Sequence, residues 1–579
     1  MRSLFGELRR RNVLRAGALY IAGIWALAQG IAQLGPSFGM PDWGTRWFVI
    51  AACIGFPFWV TFAWFYEFTP EGLKRESEVE RHESITHHTA RKLDFAIIGI
   101  LALAVVLLLT NTLVWHKGAG LREGGDVPIP EHSIAVLPFV SISAEKGQDY
   151  FSDGLTEEMI ELLGRVPELR VPARTSSFYF KGKNEPIASI AQQLKVAYVL
   201  EGSVRKSGKR LRITAQLIRA DNGYHLWSQS YDRDDSDVFA VQDDIAKSVV
   251  SALQLKLEGA EHSALRGTNN AEAYSQFLLG RQLYRRGGVD PTRHAIEAYR
   301  HAVALDPNYG VAHAELAFAE AALGDYTGDR GSISRAASDA DRAVELAPDE
   351  ASVYSARGSL RGEWLWDWQG AQSDISKALS LDPRNSDAQM RYAHLLASLG
   401  RMTEALAVQK TATTLDPLSS AGWRNLGDLY TASRDYAAAD LALGRAVKID
   451  PTSEEALYYL GVLRLLQNDG KAALEEFHKI NDDSLRPVGI AMTEHTLGHA
   501  KESQEALDEV IAKHAQDYAY QIAGVFSWRR DPEHAFAWLE RAYLQRDGGL
   551  SRIKFDPTLD PLRADPRFAA LVHKMGLPE

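Results

Sequence analysis

SAGWRNLGDLYTASRDYAAADLALGRAVKIDP, residues 420–451, is the stretch that decides the fold. With Ser420 as the first place, Trp423 falls at place four, Leu426 at seven, Gly427 at eight and Tyr430 at eleven. Ala439 then falls at twenty, Leu443 at twenty-four, Ala446 at twenty-seven and Pro451 at thirty-two. Gly427, Ala439 and Ala446 suit a crossing of two helices that leaves no room for a larger side chain, while Trp423, Tyr430 and Leu443 fill the spaces between. Asp450 and Pro451 end the second helix, because proline has no N–H to continue it. The prolines Pro307, Pro348, Pro383, Pro417 and Pro451 are 41, 35, 34 and 34 residues apart, so the unit recurs.

A 34-residue period with this small/large grammar resembles the tetratricopeptide repeat (TPR), two antiparallel helices per unit. The spacing predicts about eight helix pairs over residues 271–546 and a capping segment over 547–579 that shields the last apolar face. Insertions near 325–332 and near Trp366 account for the longer intervals. The first helices of such pairs line a concave groove, the usual binding face. That places Met390, His394, Arg424, Asp428, Glu455 and Tyr458 as candidate contacts for a protein or peptide.

The 579 residues imply several domains, and the formal charge is −11. An acidic body argues against a nucleic-acid partner, which needs a basic face. The single cysteine, Cys53, excludes an intrachain disulfide and a cysteine-based zinc site.

Three apolar stretches, about 13–34, 47–66 and 95–114, reach bilayer length and predict transmembrane helices within a membrane anchor at 1–115. Arg2, Arg9, Arg10, Arg11 and Arg15 precede the first, and Lys74, Arg75, Arg81, Arg91 and Lys92 lie between the second and third. This bias puts the N-terminus and the second loop in the cytoplasm and everything after about 115 on the far side. His82, His87 and His88 in that loop read as part of a solvated linker rather than a metal site, since no acidic or cysteine ligands stand at helical spacing nearby.

Residues 116–130 read as a linker. Over 131–258 the pattern is β-α-β-α-β-β-β-α, a mixed sheet with helices packed on it. Its strands are SIAVLPF, LRVPAR, AYVLEGSVRK, RLRITAQLIRA and GYHLWSQSYDR. Asp153 or Thr156 is expected to cap the first helix, with Glu157 and Glu158 in its positive first turn. The strings YFSDGLTEE, ARTSSFYFKGK, YVLEGSV, LRITAQLI and HLWSQSYDR resemble the TolB-like amino-terminal domain, which proteobacteria carry between a membrane anchor and TPR repeats. The opening FGELRRRNVLRAGALYIAGIWALAQ resembles the anchor of the same group. The resemblance implies a bacterial inner-membrane protein with its body in the periplasm. Its architecture is similar to that of CadC-type activators and cyclase–TPR proteins, without their output domain.

The fold class expected is therefore multi-domain: transmembrane helices, a small mixed-sheet α/β domain, then an all-α TPR superhelix. Searches for chemistry find little. GSVRKSGKR, residues 202–210, has one residue too many for a phosphate loop and lies at a strand-to-strand turn. Asp153, Glu157 and Glu158 are explained by a helix start without a substrate. Trp364, Trp366 and Trp368 suit the packing of an irregular repeat better than a ligand pocket. The expectation is a non-enzymatic scaffold without cofactor or metal. The alternative is a sensor that signals to a cytoplasmic partner. The oligomeric state is not readable from the sequence.

Overall fold

The computed structural model describes residues 20, 21, 24, 52, 55–59, 66–69, 72–75, 129–142, 149–208, 210–234, 237–255, 267–327 and 329–578. The chain divides into two compact units, Met1–Arg122 and Glu123–Glu579.

In the first unit, β1 (Tyr66–Thr69) pairs antiparallel with β2 (Gly72–Arg75), Thr69 opposite Gly72. The expectation of three membrane-spanning helices is corrected here. Among the described residues no helix is long and apolar enough to cross a membrane. Where a span was expected to end and a charged loop to begin, the chain forms a hairpin, since Tyr66, Phe68 and Leu73 suit a strand as well as an apolar helix. Most of 13–34 and 47–66, all of 95–114, and His82, His87 and His88 lie outside the described residues. The fold is a mostly helical TPR superhelix with a small sheet domain.

The second unit opens with β3 (Ile134–Val136) and β4 (Val140–Ser141). Three helices follow: α1 (Asp149–Gly164), α2 (Arg174–Phe178) and α3 (Ile187–Leu194). The long strands β5 (Tyr198–Ser207), β6 (Arg210–Arg219) and β7 (His225–Asp234) come next, and α4 (Val238–Ala252) closes the domain. The sheet order is β3-β5-β6-β7, with β3 and β4 parallel to β5 and the remaining pairs antiparallel. Alternation along β6 sends Leu211, Ile213, Ala215 and Leu217 into a core shared with Leu155, Met159 and Leu163 of α1 and Ile245 and Val249 of α4. LRVPAR does not form the expected strand. Only Arg170 bridges to Ser133, and Pro172, which has no N–H to donate, precedes the turn into α2.

Eight helix pairs follow. They are α5 (Ala271–Tyr284) with α6 (Val289–Leu305), α7 (Gly310–Thr327) with α8 (Arg330–Leu346), α9 (Ala351–Leu360) with α10 (Trp368–Leu381), and α11 (Ser386–Ser398) with α12 (Met402–Leu415). Then come α13 (Ser420–Ala432) with α14 (Tyr436–Ile449), α15 (Glu454–Leu466) with α16 (Gly470–His478), α17 (Leu485–Leu497) with α18 (Ala500–His514), and α19 (Ala519–Trp528) with α20 (Pro532–Gln545). Sequence sets the boundaries. Asn270, Asn385, Ser419 and Ser453 cap first helices, and Asp367, Asp435, Asp469 and Asp531 cap second helices, each accepting a first-turn N–H. A Cβ on Gly427 would lie 2.5 Å from Leu443 Cγ, and one on Gly461 2.6 Å from Phe477, so the crossings admit glycine alone. The third pair carries a π-helical turn, Arg361–Leu365, that ends with Trp366 in the left-handed region. After α20, two 3-10 turns (Gly548–Arg552 and Pro557–Leu562) lead to α21 (Pro566–Lys574).

Candidate functional site

The inner face of the array is occupied by the chain's own residues 547–562, which run as a strap from the last helix pair back over earlier ones. Leu550, Ile553, Phe555, Leu559 and Leu562 of this segment are all buried. Its polar groups reach the first helices of several pairs. Gly548 N donates to Asp325 Oδ1 on α7 (3.2 Å), and Ser551 Oγ lies 3.0 Å from His394 Nε2 on α11. Arg552 donates to both oxygens of Asp428 on α13 (2.7 and 2.8 Å) and sits over the Tyr459 ring of α15. Tyr520 on α19 donates to Asp556 (3.1 Å), and Ser527 to the carbonyl of Thr558 (2.8 Å). Phe555 packs among Ala393, Leu396, Ala397, Ala405 and Leu429.

Two of the six groove candidates, His394 and Asp428, meet this strap. Burial pushes the His394 pKa down to about 3, with Arg552 and then Arg424 adding to it, so the ring is neutral and serves as a hydrogen-bond partner. Arg424 pairs with Glu455 and with the side chain of Asn425. Met390 lies against the Gly422 turn of the next repeat, and Tyr458 packs on Phe477, where burial pushes its phenol up. The structure thus joins His394 and Asp428 through the strap, pairs Arg424 with Glu455, and sets Met390 and Tyr458 into packing.

The α/β domain makes a second contact with the array. Glu157 lies among Arg174 (2.5 Å), Arg281 of α5 (3.0 Å) and Arg285, the residue that follows α5 (2.5 Å). Burial alone raises a carboxyl, but Arg281, Arg285 and Arg174 outweigh it and hold Glu157 down at about 2. Gly154 has no room for a Cβ against Leu278. The expected cap at Asp153 or Thr156 is corrected: α1 begins at Asp149, so both lie inside the helix, Asp153 pairs with Lys181 (2.6 Å) and Thr156 receives the Phe139 N–H. Farther along, Arg165 pairs with Glu350 (3.1 Å), and Arg384 donates to the Leu169 carbonyl (2.8 Å). Asp416 accepts from Ser176 N (3.1 Å), and Leu418 N donates to Ser176 Oγ (2.9 Å). Glu350, Arg384, Asp416 and Leu418 come from three turns between successive helix pairs, so the domain rides along one edge of the repeats. The sequence signal for this contact was Arg281 and Arg285 at i and i+4 on a first helix, a pairing that Glu157 completes only in three dimensions.

The tryptophans pack an irregular repeat. Trp364 meets Phe318, Trp366 lies between Tyr543 and Arg546, and Trp368 Nε1 donates to the Met575 carbonyl (2.8 Å). A surface cavity of about 490 Å³ lies beside Trp368, between Gln372, Leu399, His573 and Leu577.

Helix pairs with these caps and crossings make a TPR repeat protein, and residues 386–417 and 422–453 match the tetratricopeptide repeat family. Residues 130–248 match the second domain of the HilA/YgeH-like transcriptional regulators. Putative adenylate cyclase 3 of Rhizobium meliloti (strain 1021) is 42% identical over 186 residues, 32% of this chain and 32% of that protein. Tetratricopeptide repeat protein 13 of Homo sapiens is 28% identical over 138 residues, 23% of this chain and 16% of that one. The chain spans a third or less of the length of these curated relatives. Among solved structures, a thermophilic TPR protein of Thermus thermophilus aligns with a TM-score of 0.30 at 20% identity, over 33% of this chain and 99% of that one. The expectation of a chain without any enzymatic role is corrected by the 42% relative, which is described as a cyclase. The sequence carries no short catalytic pattern, whereas its likeness to that relative is spread over 186 residues.

Proposed function

We propose that this chain is a scaffold that binds a protein or peptide partner, with the α/β domain and the repeat array acting as one body. The observation that carries this reading is the stack of eight helix pairs among the described residues, an architecture whose extended surfaces serve macromolecular binding. The acidic balance, −11, favours a protein partner over nucleic acid. Of the six groove candidates Glu455 keeps the most open side chain (61% exposed), so partner contact is assigned to the rim of the inner face near Glu455 and Arg424. Crosslinked affinity capture tests this. Partners recovered with the native chain should be lost with Glu455→Lys at unchanged melting temperature, and equal recovery would overturn the assignment.

The likeness of 131–258 to a TolB-like domain, and the location at a bacterial inner membrane with this body in the periplasm, belong to the same reading. They are supported by the quoted strings, the opening FGELRRRNVLRAGALYIAGIWALAQ among them. A phosphatase fused after Glu579 should be active only if exported, and an inactive fusion beside a fluorescent cytoplasmic one would overturn the location.

A second reading, signal transduction tied to cyclic-nucleotide chemistry, is favoured by the identity with putative adenylate cyclase 3. Incubation of the purified chain with ATP and Mg²⁺ tests it directly. Cyclic AMP formation would place catalysis in this chain, and its absence would confine any signalling role to partner binding.

A further inference from the structure

The five-stranded sheet has one closed edge and one open edge. At the closed edge Ser133, just before β3, bridges to Arg170, and Ile134 N donates to the Arg170 carbonyl (2.9 Å). At the open edge β7 pairs with β6 on one side and, among the described residues, makes no backbone hydrogen bond on the other. β7 runs for ten residues, and Ser228, Gln229 and Ser230 at its middle are exposed. Long edges of this kind are commonly blunted by proline, lysine or other charges. Here ionisable side chains stand only at the ends, His225 at one and Asp232, Arg233 and Asp234 at the other. Residues 226–231 between them carry no charge, proline or glycine. Side chains on the outer face are already bound to β6, since Ser230 Oγ lies 2.9 Å from Thr214 Oγ1 and Asp232 pairs with Arg212 (2.7 Å). What the edge still offers is its backbone.

The order of side chains along β7 says what fits there. Trp227, Ser228, Gln229, Ser230 and Tyr231 read aromatic, serine, glutamine, serine, aromatic from either end. Trp227, Gln229 and Tyr231 stand opposite Leu217, Ala215 and Ile213, on the face toward the core, and Ser228 and Ser230 stand on the other face. A strand that reads alike in both directions matches its own copy in antiparallel register. With a two-fold axis through Gln229, perpendicular to the sheet, Trp227 stands opposite Tyr231 of the second copy and Ser228 opposite Ser230. Each side chain then stays on the face it already occupies. Asp232 meets Leu226, and no carboxylate meets a carboxylate. An axis through Asp232 or Arg233 sets like charges opposite, which destabilises a strand pair. An axis through Ser228 or Ser230 parts the two aromatic side chains.

We propose that β7 is a self-pairing edge, to which a second copy of this chain adds its own β7 antiparallel about Gln229, joining the two sheets into one. Residues 225–233 of each copy gain about one inter-strand hydrogen bond per residue pair. Trp227 and Tyr231 make two aromatic cross-strand pairs, one on each side of the axis. The two Gln229 amides face each other, each with a donor and an acceptor for its counterpart. The outer face carries small serines at the centre, which let the backbones approach. A contact of this isologous kind closes on itself, so pairing stops at two copies. The proposal goes beyond the scaffold reading and holds whether or not the array binds a partner.

The experiment is disulfide trapping in the full chain with its single cysteine removed by Cys53→Ser. Gln229→Cys faces itself across the axis, where opposed Cα atoms stand about 4.5–5.5 Å apart, within the span of a disulfide. Ser228→Cys faces Ser230 instead, and its own counterpart lies two residues farther along, about 8 Å away and out of reach. Mild oxidation should yield about tenfold or more linked dimer from Gln229→Cys than from Ser228→Cys, and mixing Ser228→Cys with Ser230→Cys should restore the link. Sedimentation of the native chain reads the pairing without any crosslink. Ser228→Lys, at an exposed position, should weaken the dimer about tenfold or more at unchanged melting temperature. A native chain that sediments as a monomer overturns the self-pairing, as does equal linking by Gln229→Cys and Ser228→Cys. Linking of Gln229→Cys to a different polypeptide in cells, in place of its own copy, overturns it as well.

Discussion

Asp428→Ala probes what holds the strap in place. The carboxylate receives two hydrogen bonds from Arg552, at 2.7 and 2.8 Å, and the two side chains are 10% and 17% exposed. Without Asp428 the guanidinium keeps the faces of Tyr459 and Phe555, 5.1 and 4.9 Å from the ring centroids. The next acid, Asp556, already accepts from Tyr520 and Thr558. Breaking a buried pair on one side costs about 3–5 kcal/mol, since the remaining charge is left without its partner. Protection of the strap amides should therefore fall by roughly 100-fold to 1,000-fold or more, at about 1.4 kcal/mol per factor of ten. Replacing both partners, Asp428→Leu with Arg552→Met, should restore most of that protection, because apolar groups of similar volume carry no desolvation cost. Hydrogen exchange on Asp428→Leu, Arg552→Met and the double variant forms the cycle that isolates the pair. A loss under tenfold in Asp428→Ala, or a double variant as weak as the sum of the singles, would show that water already solvates the pair.

Ala439 is fully buried against its neighbours, so Ala439→Leu overpacks the crossing near Gly427 and should cost about 1–3 kcal/mol. Exchange protection should fall first in the adjoining pairs, and a uniform loss over the whole chain would contradict nearest-neighbour coupling. Glu157 is depressed from about 4.5 to about 2, so its contribution, about 3 kcal/mol, is present above pH 4.5 and lost as pH falls toward 2. Thermal melts from pH 6 to 2 should show a shallower acid decline in Glu157→Gln than in the native chain, from a lower starting point at neutral pH.

The repeats were legible because their information is local. Gly427, Ala439, Leu443 and Pro451 meet within one unit, and the caps Ser419 and Asp435 act within a turn of their own helices. The strap was not legible as an occupant of the groove. Arg552 and Asp428 are 124 residues apart, and neither lies on a periodic apolar stripe, so only closure of the superhelix pairs them. The candidates His394 and Asp428 were placed on the inner face by the helix-pair register, which carries no information about what lies over that face. Glu157 was read as a first-turn acid because its three arginines belong to other elements. Near the N-terminus no helix among the described residues is long and apolar enough to cross a membrane, and the hairpin at 66–75 stands where the charged loop was expected to begin.

Two long-range attachments change what kind of scaffold this is. A bare solenoid flexes because each repeat touches only its neighbours. Here the α/β domain bridges the turns at Glu350, Arg384 and Asp416, and the strap bridges α7, α11, α13 and α19. Bending of the middle repeats is opposed from both sides, so a partner meets a preformed surface and loses less free energy to ordering it. Pulling the whole strap out would expose five buried side chains, Leu550, Ile553, Phe555, Leu559 and Leu562. At about 1.5–3 kcal/mol each, that costs about 8–15 kcal/mol, comparable with the entire stability of a domain. Micromolar to nanomolar binding supplies about 8–12 kcal/mol, so a peptide that displaced the whole strap would spend most or all of its binding free energy on the displacement. Release of the polar end at Asp547–Gly549 gives up hydrogen bonds but little apolar burial, which makes it the part of the strap that is least costly to lift.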